Sequence, residues 1–165
     1  MRSEMIISLL DGGAVADATA HANVHANADV HANADGHPNA SALAHAGSAI
    51  VASVTVKALN ALFAELRPLI GMQALRALHV RSLHLAQASF ERPSADLAST
   101  DELLAHLHQD LVSRLAAPAR AAAQALLLAL ANLLVSLIGE PLTDRLLHKA
   151  WGNLSVTQAS EVKPP

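Results

Sequence analysis

The chain has no cysteine and no tyrosine, and its only other aromatic residues are two phenylalanines and one tryptophan. Without thiols there can be no disulfide, zinc finger, iron–sulfur cluster or thiol nucleophile, and such usage fits a reducing compartment. A cytoplasmic protein is the expectation. Excess positive charge is also missing. Eleven Lys and Arg stand against fourteen Asp and Glu, a formal net charge of −3, so nucleic acid finds no electrostatic footprint. The chain contains no Gly-rich phosphate loop, GxSxG, HExxH or Walker sequence, and no catalytic constellation emerges from its residues. A protein that is not an enzyme is expected.

What is abundant is alanine and leucine, within a hydrophobic share of 52%. Both residues lose little entropy in a helix, so the composition favours helices throughout. A length of 165 residues suits one domain, with room for a tail. The opening MRSEMIISLLDGGAVADATA only resembles a signal peptide. Its apolar run, Met5 to Leu10, is flanked by Glu4 and Asp11, whereas a secretory signal carries a longer apolar region behind a basic start.

Composition changes near Ala49. Residues 1–48 hold one Arg against five acids and five of the ten histidines. Within them runs a six-residue repeat, HANADV, HANADG and HPNASA from His25, and alternate positions from Ala14 to Ala46 are Ala, Val, Gly or Pro. Period two is a strand signature. Alanine buries little area, however, and Ala, Asn and Asp are poor strand formers, so ordering entropy goes largely uncompensated. Residues 1–48 are expected to be a disordered, low-complexity head.

The histidines nevertheless offer a metal reading. Were the segment helical, Asp17, His21, His25 and Asp29 would stack at i, i+4 steps, and His31 with Asp35 would form a second such pair. Imidazoles one turn apart between carboxylates form a ligand set suited to Zn²⁺ or Ni²⁺. Passive filler is the competing reading, and no cofactor is otherwise implied.

From Ala49 to Gly152 the period becomes that of a helix. Val51, Val54, Ala58, Leu62, Leu66 and Ile70 form a stripe widened by Leu59 and Phe63. Pro68 predicts an end near Leu66 or Arg67, and Gly71 a short turn or kink. A second helix is expected from Met72 to Phe90, with Leu75, Leu78, Leu83, Ala86 and Phe90 inward. Its outer side would carry Arg76, His79, Arg81 and His84, read as a solvated face or as a site for phosphate or an acidic partner. A phosphotransfer role for His79, His84 or His106 lacks the small-residue and lysine surroundings of a phosphoacceptor.

Ser99 to Glu102 spells a capping box. The third helix is expected to reach Ala116, with Leu104, Leu107, Leu111 and Leu115 inward. Glu102, His106, Asp110 and Arg114 form an i+4 ladder on another face, read as ordinary helix support. Pro118 suits the first turn of a fourth helix. Residues 121–139 carry no charge and are long enough to cross a bilayer. Gln124, Asn132 and Ser136 share one stripe of that helix, interrupted only by Leu128, which points instead to a central bundle helix with one polar seam. Gly139 ends it, and Pro141 begins the last helix, with Leu142, Leu146, Ala150 and Trp151 inward. Gly152 would close that helix, leaving residues 153–165 as a flexible tail.

LIGEPLTDRLLHKAW, together with the earlier ALFAELRPLIG and RSLHLA, resembles small, uncharacterised, all-helical bacterial proteins over roughly Ala58 to Trp151. The resemblance implies a helical fold and brings no activity, cofactor or site residue with it. The expected protein is therefore an all-α bundle of four to five helices over residues 49–152. Its expected function is a non-catalytic interaction module, associating with itself or with another helical protein. Metal binding by the head and membrane anchoring through residues 121–139 are the alternatives.

Overall fold

The computed structural model describes residues 2–11, 40–86 and 99–157. These residues build an all-α bundle of five helices, with no strand among them. The first, α1, spans residues 2–11. It is followed by α2 (Ala40–Leu85), α3 (Thr100–Val112), α4 (Ala116–Ile138) and α5 (Glu140–Thr157).

Helix α1 lies inside what composition marks as the head. Ile6, Leu9 and Leu10 share one helical face and are all buried. Polar contacts hold both ends of the helix. Arg2 reaches Glu140 at 2.6 Å, and Asp11 pairs with Arg120. Exposed pairs of this kind contribute about 0–1 kcal/mol each, so the apolar face dominates the docking. Helix α2 begins at Ala40, which puts the composition change at Ala49 within a helix. Ser48 is already buried there, its hydroxyl donating to the main-chain oxygens of His45 and Val112. The organised chain therefore includes parts of the segment expected to be a disordered head.

Helix α2 buries Val51, Ala52, Thr55, Ala58, Leu59, Leu62, Phe63 and Leu66. It runs through Pro68 rather than ending before it. Pro68 lies on the exposed side, as does Ala64, whose carbonyl loses its helical donor. Water can satisfy that carbonyl, so the proline is tolerated close to the helix end. The break comes at Gly71, with φ 77° and ψ 170°, a conformation that disfavours any side chain. Beyond it the chain folds back. In a continuous helix, residues 63 and 79 would stand about 24 Å apart along the axis, yet the rings of Phe63 and His79 are centred 5.6 Å apart. The two arms of α2 form a helical hairpin.

Helix α3 opens with the capping box on Ser99 and Glu102. It stops at Val112, short of the expected Ala116, because the Ser113 hydroxyl turns back to the Asp110 carbonyl oxygen and the N–H of Arg114 donates to that of Leu111. Leu115, expected to face inward, is exposed in the link.

Helix α4 is the central element, with Ala119, Ala122, Ala123, Leu126, Leu127, Leu130, Ala131 and Leu134 buried. Asn132 and Ser136 are exposed and Gln124 half-buried, so the polar stripe lies on the outer side. It lies close to α2 at Gly47, where an added Cβ would lie 2.9 Å from that of Ala116.

Helix α5 continues through Gly152 to Thr157 instead of closing there. Gly152 has no positive φ, and Leu154 carries the apolar face onward against the core. Ala150 and Trp151 face inward as expected and Leu146 packs against the core, so the departure is at Leu142. Thr143, Leu147, Ala150 and Trp151 are buried, while Leu142 is 53% exposed. One hydrogen bond ties this face to α2, Trp151 Nε1 donating to the Ala58 oxygen at 3.1 Å, while Thr143 Oγ1 donates back one turn to the Gly139 oxygen at 2.8 Å.

Candidate functional site

The sequence-derived metal set, Asp17, His21, His25, Asp29, His31 and Asp35, lies outside the described residues. Among the described residues no group of three or more His, Asp or Glu side chains could hold an ion.

The basic face expected on the second arm of α2 is incomplete. Arg76, Arg81 and His84 are exposed, but His79 is fully buried. It stands edge-on to Phe63, with the ring planes at 86°. Neither of its ring nitrogens has a hydrogen-bond partner among the described residues. Burial lowers its pKa from the ordinary 6.5 to about 4, because a charged imidazole loses its hydration there. At neutral pH the ring is an uncharged core residue, enclosed and out of reach of a phosphate or a phosphoryl donor. The i+4 pattern of the helix held the signal: His79 follows Leu75 by one turn and precedes Leu83 by another.

The ladder on α3 separates into local roles. Glu102 completes the capping box, and Asp110 accepts from Arg114 Nε and Nη2 at 3.1 and 2.8 Å. His106 is exposed on the same helix. These are helix-supporting contacts with no chemistry in common.

The feature that remains is an apolar end. Helix α4 starts beside Gly47 of α2, and the two helices share an extensive contact. From that crossing, each helix runs a nearly equal length to its glycine break, α2 to Gly71 and α4 to Gly139. Helix α5 then returns along α2, with Lys149 on Glu65 and Trp151 on Ala58. The two breaks therefore share one end of the bundle. Leu69, Ile70 and Met72 project around Gly71, and Leu137 and Leu142 flank Gly139, with exposures of 38–68%.

Both breaks have a physical reason to carry apolar residues outward. Each glycine adopts a positive φ, 77° at Gly71 and 82° at Gly139, and so ends the helix before its stripe can turn back to the core. Arg67 and Arg145 are exposed near these turns, while Glu140 is engaged by Arg2. The result is a concentration of apolar side chains at one end with charge around it.

No protein-family model, no curated protein and no solved structure matches the chain. Its function has to be argued from this geometry.

Proposed function

We propose that the chain is a non-catalytic helical interaction module that self-associates through its apolar end. The observation that carries this reading is the exposure of Leu69, Ile70 and Met72 around Gly71 and of Leu137 and Leu142 around Gly139. Single exposed leucines are ordinary, but large side chains gathered in one place favour a covering partner. A second copy supplies one directly, and a foreign helix laid across the two turns is the other occupant of the same surface.

The test is light scattering on the full chain beside a Leu69→Glu, Leu137→Glu double variant. The native chain is expected to form a dimer or larger species that the double variant disperses. Both sites are exposed, so the thermal midpoint should hardly move. A strictly monomeric native chain that binds no apolar dye would sink the proposal.

Membrane anchoring draws on a different observation. Two helices, the long arm region of α2 and all of α4, have the length and apolarity of a span. Here α4 uses its apolar face to fill the bundle core and turns Asn132 and Ser136 outward. Recovery of the whole protein in the detergent-free soluble fraction removes the anchoring alternative.

A further inference from the structure

Between α1 and α5 the surface opens into a half-open cleft of about 160 Å³, lined by Met5, Ser8, Leu9, His148, Trp151 and Gly152. We propose that this cleft binds a small apolar molecule carrying a single hydroxyl or N–H donor, with phenol matching it in size and chemistry.

The walls define the apolar part. Leu9 and Trp151 are buried, and Met5 packs against the core. The indole N–H of Trp151 is committed to the Ala58 oxygen, so that side chain offers the cleft a ring surface and no donor. The volume is close to that of cavities, about 150 Å³, that accept benzene.

His148 supplies the polar part. Its Nδ1 lies 3.1 Å from the main-chain oxygen of Asp144. A carbonyl oxygen only accepts, so Nδ1 carries the proton, and Nε2 of the neutral ring is left as an acceptor. No Lys or Arg lines the cleft, which argues against an anion, and its one imidazole without a carboxylate is a poor metal set. A ligand with one donor on an apolar body satisfies both halves.

Gly152 is the independent observation. It lies within α5, has no positive φ, and an added Cβ would meet nothing within 4 Å. Glycine inside a helix costs about 1 kcal/mol relative to alanine, and neither backbone geometry nor crowding demands it here. Gly152 lines the cleft, and a larger side chain there would add atoms at the mouth.

The experiment titrates phenol and, separately, toluene into the full chain, following the fluorescence of Trp151, the chain's only tryptophan. Saturable change is expected for both, with phenol binding roughly fivefold more tightly through its hydrogen bond. Gly152→Leu should abolish the response to both while leaving the helical circular dichroism and thermal midpoint near native. His148→Leu should erase the preference for phenol. No saturable change with the native chain overturns the proposal, as does binding that survives Gly152→Leu or equal affinity for the two probes.

Discussion

His79 stands edge-on to Phe63, with ring centroids 5.6 Å apart, and the pair holds the two arms of the α2 hairpin together. The same imidazole makes the fold sensitive to acid. Its pKa falls from 6.5 in the unfolded chain to about 4 in the fold, so the unfolded state binds the proton more readily. The stability involved is fully present above 6.5 and is lost as pH falls towards 4, by up to about 3 kcal/mol. His79→Leu should flatten that part of the pH profile and, by removing two unpartnered nitrogens, be at least as stable near neutrality. Chemical denaturation of both proteins at about pH 7 and about pH 4 measures the difference. Equal pH slopes would show that His79 is not enclosed in solution.

Gly71 tests the hairpin itself. Its backbone, at φ 77° and ψ 170°, meets no neighbour within 4 Å of an added Cβ. Any cost of Gly71→Ala is therefore conformational rather than a clash. Destabilisation of about 1–3 kcal/mol is expected, read as a lower midpoint in urea with an unchanged slope. A neutral result would mean that the turn adopts another backbone conformation.

Removing residues 1–11 should be costly for so short a segment. Ile6, Leu9 and Leu10 are all buried by α1, and burial of each such side chain contributes about 1.5–3 kcal/mol before ordering entropy is subtracted. A single Leu10→Ala should cost about 2–4 kcal/mol, whereas Ile7→Ala, at a position 43% exposed, should cost well under half as much. Thermal melts of the two variants separate a docked α1 from a detached one.

Metal affinity, where Zn²⁺ or Ni²⁺ binds at micromolar strength or better, should vanish when residues 14–38 are deleted. That deletion removes Asp17, His21, His25, Asp29, His31 and Asp35 together, and the described residues contain no other group able to hold an ion. Calorimetric titration of both chains checks this. Tight binding retained by the shortened chain would place the ligands elsewhere.

Features decided by neighbouring residues were legible in the sequence. Ser99 with Glu102 announced a helix start, Gly71 and Gly139 announced breaks, and Gln124, Asn132 and Ser136 marked the outer seam of α4. Features decided by contact across the fold were not. Leu142, Leu146 and Leu147 offer the start of α5 more than one inward face, and the indole bond to Ala58 ties the helix to α2 with Leu147 buried and Leu142 outside. Met5 to Leu10 is too short a run to declare a helix alone, and partners on α4 and α5 far along the chain hold it. The apolar end was hidden for a similar reason. Ile70 and Leu142 occupy positions that suit a core stripe, and only the glycine breaks turn them outward.

The docking of α1 also bears on how the fold is reached. Arg2 finds Glu140 across 138 residues of chain, so α1 packs against a helix far from it in sequence. Most helical bundles assemble from partners close in sequence and fold quickly for that reason. Here α2, α3, α4 and α5 follow one another along the chain, whereas α1 meets α4 and α5 across 109 and 138 residues. Closure of this longest loop is therefore the slowest expected step in folding.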